Sequence, residues 1–333
     1  MEEIISMSHG NGGKKTSALI EKVLLPRFNN KELNSLGDGA ILDVNGRIAF
    51  STDSFVIDPI FFNGGDIGKI SVCGTVNDLL MCGSIPKYLS LSFILEEGLK
   101  LSELEKIADS ISETAKKAGV KVVTGDTKVV DKGHGHKIYI NTSGIGELRD
   151  GICLGRERIE KGDKVILSGS MGNHGVSILC SRNNFFETNI ASDCTPLNKV
   201  TDAILKYGKS VKILRDPTRG GVGTTLNEFT EDMKFSIELF EDKLPIDSDV
   251  KTACDLLGID PLYSANEGKV LAIVSEDAAE SIISDLRKID ESCNAEIIGE
   301  VKETNSGKVI LSSIYGGKRI IDKLSYDQLP RIC

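Results

Sequence analysis

The sequence has no excess of basic residues, and this absence excludes one large class of partners. Its 333 residues include 40 lysines and arginines against 49 aspartates and glutamates, which gives a formal net charge of −9. A nucleic-acid-binding protein needs a basic surface to neutralise backbone phosphates. We therefore exclude nucleic acid as a partner. Any phosphate group that this protein handles is expected to be a small one, held together with a metal ion.

Long apolar runs are absent as well. No stretch approaches the ~20 apolar residues of a membrane-spanning helix, and the first residues, MEEIISMSHGNGGKK, lack the basic and apolar regions of a secretory signal. We expect a soluble, cytoplasmic protein without membrane contact. A chain of this length that is 40% hydrophobic has enough apolar residues for two domains, each with its own core.

Zinc-site and disulfide spacings are also missing. The sequence has eight cysteines but no C-x-x-C pair, so most cysteines are expected to be small buried residues. Cys73 and Cys82 belong to one predicted helix, but at about 100° per residue they fall on opposite faces and are poor partners. His134 and His136, in GHGH, are expected on an exposed loop, with a metal site there as the less favoured alternative.

Predicted strands and helices alternate along the chain, which indicates an α/β (α+β) fold. In the first half the strands are Arg47–Ile57, Lys87–Leu95, GVKVVTGDTKVV and HKIYINTSGIGEL, and the helices are Asp66–Cys82 and Ser102–Ala118, the latter ended by Gly119. After Gly151 the pattern restarts with a strand and a glycine-rich turn in KGDKVILSGSMGNHG. A helix from His174 follows, then helices Asn198–Tyr207, Thr218–Glu231 and Glu276–Lys288, with strands Lys269–Val274 and Ala295–Val301. The domain boundary is predicted near residues 148–156.

Acidic residues beside glycines or amides recur where these elements end. The motifs are GDGA, STDSF, VNDLL, GDT, RDPTRGG and NEG. Carboxylate and amide oxygens suit magnesium, which usually keeps waters and bridges to substrate phosphates, and glycine lets a nucleotide approach the backbone. Taken singly, each motif is also compatible with an ordinary turn.

Two glycine-rich segments suggest different roles. In RDPTRGGVGTTLNEF we expect Asp216 to cap a helix whose first position is Pro217, with bare glycine turns that suit close packing or an anion. HGNGGKKT lacks the spacing G-x-x-x-x-G-K-S/T because Lys14 is followed by Lys15. A Walker-type ATPase is therefore not expected.

In this order, and over nearly the whole chain, the motifs resemble the aminoimidazole-ribonucleotide synthetase-like ATP enzymes and, among them, the HypE family of hydrogenase maturation proteins. The resemblance is carried by TDSFVIDPIFFNGGDIGKISVCGTVNDLLMCGSIPKYLSLSFILEEG, VVTGDTKVV, RDPTRGG and LPRIC. It implies a homodimer whose N-terminal half-barrel sheets join. The implied parts are an ATP-binding and dimerisation domain (1–150), a C-terminal α/β domain (151–322) and a mobile tail (323–333).

The resemblance also implies an activity. Family members use ATP to dehydrate an S-carbamoyl group on the C-terminal cysteine to a thiocyanate, whose nitrile becomes the cyanide ligand of the iron in nickel-iron hydrogenase. The implied partners are the carbamoyltransferase HypF as carbamoyl donor and the iron-bearing HypC–HypD complex as cyanide acceptor. ATP and Mg²⁺ are the implied cofactors.

Site residues follow from the matched motifs. Cys333 is implied to carry the substrate group, and the magnesium-phosphate set is Asp38, Asp53, Asp78, Asp126 and Asp216, supported by Asn77, Gly125 and Thr127. Asp78 stands out because an Asn-Asp pair within a helix lowers helix propensity and is not explained by a turn. Glu267 is expected to be the base at the carbamoyl nitrogen, and Lys128 a phosphate contact or polariser. Surface ion pairs remain the alternative for both.

Other classes of protein share some of these features. Selenophosphate synthetases share the acidic motifs but need a cysteine or selenocysteine in the N-terminal glycine-rich segment, and here no cysteine precedes Cys73. Thiamine-phosphate kinases and purine-pathway relatives share the fold but need no terminal thiol. A non-catalytic scaffold that passes a modified thiol between partners would need Cys333 but not the five aspartates.

Overall fold

The computed structural model describes residues 3–36, 39–183, 189–304 and 306–324. The chain divides into two compact units. Unit 1 consists of the residues up to Leu80 together with Ser84–Leu148, and unit 2 of Met81–Gly83 together with the chain from Arg149 onward.

A four-stranded sheet forms the centre of unit 1. Its strands follow one another in the order β1-β6-β4-β5, with β4 and β5 parallel and the other neighbours antiparallel. The strands of unit 1 are β1 (Ile48–Phe55), β2 (Phe61–Phe62), β3 (Gly65–Asp66), β4 (Ser84–Glu96), β5 (Lys121–Val130) and β6 (Ile138–Leu148). The four predicted strands are thereby confirmed.

The predicted helices of the first half are confirmed as well. The helices of unit 1 are α1 (Lys14–Leu19), which continues through a π-helical turn (Ile20–Leu24) into α2 (Leu25–Phe28), then α3 (Ile67–Met81) and α4 (Leu101–Ala118). Helix α4 is amphipathic and ends at Gly119, whose φ of 70° favours glycine. Helix α3 is apolar around much of its surface because it packs on both sides. A Cβ on Gly68 would meet Ile107 of α4, and one on Gly74 would meet Phe55 of β1.

The two faces of this sheet differ in burial. On β4 and β6 buried and partly exposed residues alternate, as expected for a sheet with one covered face. The other face carries large apolar side chains in contact with solvent. These are Ile48, Phe50, Ile85 and Ile94, which are 45%, 66%, 42% and 43% exposed.

Unit 2 is built on a seven-stranded sheet in the order β13-β12-β9-β11-β7-β10-β8. Its strands are β7 (Lys164–Leu167), β8 (Val211–Arg215), β9 (Ser236–Phe240), β10 (Leu271–Val274), β11 (Glu296–Lys302), β12 (Val309–Ser312) and β13 (Lys318–Ile321). Its helices are α5 (Asn173–Asn183), α6 (Asn198–Leu205), α7 (Gly221–Thr230), α8 (Ser248–Leu257) and α9 (Glu276–Leu286). The sequence pattern did not predict β8, β9, β12, β13 or α8.

The predicted start of α7 is wrong. The helix begins at Gly221, after an N-cap at Gly220, and not at a cap formed by Asp216. Gly220 and Gly221 have φ values of 78° and 60°, so the chain is left-handed at the N-cap and again at the first residue of the helix. A Cβ on Gly221 would lie 2.6 Å from the carbonyl oxygens of Leu262 and Ser264, so this position requires glycine. Asp216 thus belongs to the loop after β8.

The cysteines and histidines agree with expectation where they are described. The seven described cysteines are free thiols, of which Cys73, Cys180, Cys194 and Cys254 are buried. Cys82, which lies in the turn directly after the helix of Cys73, is exposed. His134 and His136 lie on an exposed loop. Among the described helices, none has the length and apolar character needed to cross a membrane.

Candidate functional site

Asp53 and Asp78 lie together where β1 meets α3. The Oδ2 atom of Asp53 lies 3.3 Å from the place where a Cβ on Gly74 would stand. Asp78 is one helical turn further along α3, and its Oδ2 accepts a hydrogen bond of 2.6 Å from Ser51 Oγ. Ser51 and Asp53 are two residues apart on β1 and therefore project from the same face of the sheet. Both carboxylates are partly exposed.

Gly74 sets how closely the helix approaches the strand at this contact. A Cβ on Gly74 would lie 2.8 Å from the Phe55 ring, so a larger residue would push the strand away from the helix. Asn77 is only 1% exposed, directly beside Asp78. Sequence reasoning identified Asp53, Asn77 and Asp78 but missed Ser51, whose role depends on the strand's register against the helix. The one available signal was its position two residues before Asp53.

Asp126 and Lys128 face solvent on β5. Lys128 Nζ lies 2.9 Å from Asp126 Oδ2, and the N–H of Thr127 donates to Asp126 Oδ1 over 2.8 Å. The hydrogen bond from Lys128 is the main cause that lowers the pKa of Asp126 below its usual value, so this carboxyl is ionised at neutral pH. Exposed ion pairs contribute only about 0–1 kcal/mol. A phosphate group or metal ion can therefore replace either partner at little cost.

A cavity of about 280 Å³ lies beside this strand, within unit 1. Its walls are mostly apolar, with Asp126 and Thr127 among the few polar residues. Leu36 and Gly39 also line it; they flank Gly37 and Asp38, which are outside the described residues. The lining residues are Thr16, Ile20, Leu24, Leu25, Phe28, Glu32, Leu33, Ser35, Leu36, Gly39, Leu91, Phe93 and residues 122–127.

The N-terminal glycine-rich segment packs against the same strand. A Cβ on Gly10 would lie 2.6 Å from the backbone nitrogen of Val129, so only glycine permits this approach. The segment continues into α1, whose Thr16 lines the cavity. Sequence reasoning excluded a Walker loop here and assigned the segment no role. Its glycines and paired lysines were the available signal.

In unit 2, three glycine-rich segments leave the sheet at one edge. Leu271 at the start of β10 pairs with Leu167 at the end of β7 and with Arg215 at the end of β8. The turn after β7, the loop after β8 and the segment before β10 therefore meet. Asp216 directly follows Arg215, and Glu267 stands four residues before Leu271. Because Arg215 and Leu271 are paired, these two predicted residues lie at the same edge of the sheet.

Asn266 joins these three segments. Its side chain is fully buried; Oδ1 accepts the N–H of Gly172 over 2.7 Å, and Nδ2 donates to the carbonyl of Pro217 over 3.0 Å. Glu267, the next residue, is 5% exposed. Glu267 is thus buried where these loops meet, whereas Asp216 is partly exposed.

The predicted metal ligands are only partly brought together. Within the described ranges, no group of three histidine, cysteine, aspartate or glutamate side chains is close enough to hold a metal ion by itself. Asp53 and Asp78 are adjacent, Asp126 is on β5 and Asp216 is in unit 2, while Asp38 and Cys333 are outside the described residues. Magnesium commonly binds through one or two carboxylates plus waters and substrate phosphates. The donors therefore fit a metal that arrives with a nucleotide.

Two family descriptions match the chain. The AIR synthase related protein, N-terminal domain, matches residues 36–148, and the AIR synthase related protein, C-terminal domain, matches residues 160–312. Together they cover most of both units.

Relatives that match over almost their whole length narrow the family assignment further. The carbamoyl dehydratase HypE of Bradyrhizobium diazoefficiens is 42% identical over 332 residues, 99% of this chain and 96% of that protein. The carbamoyl dehydratase HypE of Escherichia coli K12 is 42% identical over 336 residues, 99% of each chain.

Solved structures agree with the sequence relatives. The hydrogenase maturation protein HypE in complex with ATP has a TM-score of 0.94 and 43% identity, with 98% of this chain and 99% of that chain covered. A chain of a HypE–HypF complex has a TM-score of 0.81 and 45% identity, with 92% and 100% covered.

Proposed function

This chain belongs to the HypE carbamoyl dehydratases, a branch of the AIR synthase related proteins, and from that membership we propose which of its residues serve each step of the reaction. The enzyme uses ATP to dehydrate an S-carbamoyl group on Cys333 to a thiocyanate. The nitrile then supplies the cyanide ligand for the iron of nickel-iron hydrogenase. The observation that carries this conclusion is the full-length match to proteins of this activity, one of which was solved with ATP.

The chemistry sets what the protein must provide. The oxygen of a primary amide is a poor leaving group, so it first attacks the γ-phosphorus of ATP, and the bond to the β-phosphate oxygen breaks to release ADP. The nitrogen then loses both protons while the C–O bond breaks and phosphate leaves. The site must neutralise phosphate charge, accept protons from nitrogen and bring the thiol-bound group to ATP.

The proposed nucleotide site is the cavity beside β5. Its apolar walls suit a base and sugar, and its few polar groups, including Asp126 and Thr127, suit the phosphate end. Gly125 lines the same cavity and is a proposed nucleotide contact; a Cβ there would lie 2.2 Å from the carbonyl oxygen of Leu91, so only glycine fits beside β4. ATP binding itself follows from family membership.

Magnesium is the proposed companion of ATP, held by Asp53, Asp78 and Asp126, with Asn77 and Thr127 as supporting contacts. Its chemistry would be to neutralise charge on the transferred phosphoryl group. Three observations support the assignment: the adjacency of Asp53 and Asp78, the ionised state of Asp126, and a weak ion pair that Lys128 can exchange for phosphate. Asp38 and Asp216 remain proposed members of the set.

Removal of magnesium should therefore stop turnover. With S-carbamoylated protein, excess EDTA is expected to abolish phosphate release from ATP, and added Mg²⁺ to restore it, because the carboxylates cannot neutralise phosphate charge alone. Unmodified protein serves as the control and should hydrolyse little ATP with or without metal. Phosphate release that continues at its full rate in EDTA would contradict the proposed metal role.

Glu267 is the proposed base at the carbamoyl nitrogen, and Lys128 the proposed phosphate contact or polariser. For Glu267 the support is its burial where the loops of unit 2 meet, an unusual place for a surface ion pair. Lys128 is 64% exposed and pairs with Asp126, and an incoming phosphate oxygen can replace that carboxylate.

The proposed partners follow from the two transfers that the reaction needs. A carbamoyltransferase must load Cys333, and the HypE–HypF complex supports HypF in that role. An iron-bearing acceptor must take the nitrile, for which we propose the HypC–HypD complex. The cytoplasm is the proposed location, since the seven described cysteines form no disulfide bond and that compartment keeps thiols reduced.

A homodimer through the sheet of unit 1 is also proposed. On its solvent-facing side Phe50, Ile145 and Tyr88 stand in one cross-strand row, flanked by exposed Ile48 and Ile85. An apolar face of this kind is expected to be covered by a second copy, which joins the two half-barrels.

Phe50→Glu is expected to turn the dimer into a monomer, because it would place a charge in the centre of the proposed contact. Sedimentation at micromolar concentration measures the change. Ile320→Glu, at a similarly exposed apolar residue on β13, is the matched control and should leave the dimer intact. A wild-type protein that sediments as an active monomer would refute the proposal.

A further inference from the structure

Asp193 is a buried carboxylate that contacts the backbone of the Glu267 segment. Its side chain is 6% exposed. One carboxylate oxygen accepts the N–H of Glu267 over 3.0 Å, and the other accepts the N–H of Gly268 over 3.3 Å. Two successive backbone donors are thus fixed by one side chain that lies 74 residues earlier in the chain.

Lys269 supplies the counter-charge. Its Nζ lies 3.2 Å from Asp193 Oδ2 and donates to the carbonyl of Gly268 over 3.0 Å, and its side chain is 9% exposed. The stem of Lys269 passes over Gly169 in the turn after β7, where a Cβ would lie 3.2 Å from Lys269 Cε. The ammonium group therefore sits in a confined position and balances the buried carboxylate.

Gly268 brings the two backbones together. A Cβ on this residue would lie 1.9 Å from the carbonyl oxygen of Asp193, closer than any non-bonded contact allows. The peptide of Glu267 and Gly268 is thus pressed against Asp193 and hydrogen-bonded to it. The position of the Glu267 backbone is thus set by Asp193.

The segment that carries Asp193 is anchored in turn. Ser192 Oγ lies 2.8 Å from Nδ1 of the fully buried His174 on α5, and it accepts the N–H of Cys194 over 3.1 Å. The chain of contacts runs from α5 through Ser192 and Asp193 to Glu267. The side chains of His174, Ser192 and Asp193 are buried and hydrogen-bonded. These contacts therefore hold the backbone of Glu267 in one position.

A buried ion pair is weak evidence for stability, because apolar residues of similar volume often stabilise as well or better. We propose that Asp193, neutralised by Lys269, is a positioning residue for Glu267. Its carboxylate holds the backbone from which the Glu267 side chain takes a proton from the carbamoyl nitrogen. This inference rests on the proposed role of Glu267 as the base.

Three full-length variants test it: Glu267→Gln, Lys269→Gln, and the double variant Asp193→Asn/Lys269→Gln. Asparagine at position 193 keeps the shape but cannot accept two N–H groups equally, since its amide nitrogen opposes one of them. The double variant leaves no unpaired buried charge and is expected to fold. Lys269→Gln is the matched control, because it removes the ion pair but keeps the carboxylate clamp.

The readouts are the single-turnover rate of water loss from S-carbamoylated Cys333, the affinity for ATP, and the thermal midpoint. For the double variant we expect a rate lower by about a hundredfold with ATP affinity unchanged, since small displacements of a reacting group have effects of that size. Lys269→Gln is expected to lower the thermal midpoint, but its rate of water loss should be close to that of the wild-type protein.

The outcomes distinguish the proposed role of Glu267 as the base from the proposed role of Asp193 as its positioning residue. If Glu267→Gln reacts at the wild-type rate, Glu267 is not the base, and the positioning role of Asp193 is overturned with it. If Glu267→Gln is slow but the double variant reacts normally, Glu267 remains the base and the positioning role of Asp193 is overturned. A double variant that fails to fold, or that loses ATP affinity along with rate, shows a structural role and overturns it too.

Discussion

Asp78→Asn should reduce ATP turnover by S-carbamoylated protein by about a hundredfold or more. The substitution keeps the side chain's size and helical position but removes one charge from the proposed metal site, and the loss of one preorganised electrostatic contact has effects of this order. Folding should be unaffected, because Asp78 is partly exposed and is not a core residue. Phosphate release and the circular dichroism melting curve measure the two quantities.

Ser51→Ala is the matched control. It removes the hydroxyl that donates to Asp78 Oδ2 but leaves the charge in place, so turnover should fall much less than in Asp78→Asn. Normal ATP hydrolysis by Asp78→Asn would count against the metal assignment. It would also revive the reading of the protein as a scaffold, which needs a thiol but no aspartates.

Cys333→Ala should eliminate both the carbamoyl adduct and the dehydrated product. The reaction takes place on a group bound to this sulfur, and no other thiol is proposed to reach both the carbamoyl donor and ATP. Intact-protein mass spectrometry after incubation with the carbamoyl donor and ATP measures the loss. ATP affinity should remain, since Cys333 is not a proposed nucleotide contact.

The exposed cysteines offer the control for this variant. Cys82, Cys153 and Cys293 are exposed, while the other four described cysteines are buried. Replacing the three exposed cysteines by serine should leave carbamoylation and dehydration unchanged. An ATP-dependent loss of water that persists in Cys333→Ala on any of these thiols would contradict the assignment.

The sequence predicted the elements with a strong pattern and missed those without one. HKIYINTSGIGEL alternates, and it forms β6 as expected; Gly119 ends α4 where the left-handed conformation is needed. The strands β8, β9, β12 and β13 have only four or five residues each and were missed, whereas β7 and β10, which have four residues each, were predicted from the apolar runs VIL and VLAIV. Helix α7 was misplaced because Asp-Pro has the form of a helix start, whereas the helix begins at Gly221 after a left-handed N-cap at Gly220.

The site was predicted in its motifs but not in its contacts. Asp53 and Asp78 could be named from sequence, but their adjacency depends on how α3 packs on β1 through Gly74. The meeting of Asp216 and Glu267 depends on the antiparallel register of β7, β10 and β8. Asp193 left no signal at all, because it contacts Glu267 through backbone N–H groups, which any residue there would offer.

The most direct test of the whole account is the intact mass of the protein after incubation with its carbamoyl donor, with and without ATP. We expect one carbamoyl group on the peptide that contains Cys333 when ATP is withheld from the dehydration step. Addition of ATP and Mg²⁺ should then give a species lighter by the mass of one water molecule, on the same peptide. A carbamoyl adduct that stays intact in the presence of ATP and Mg²⁺, or a loss of water that does not require ATP, would contradict it.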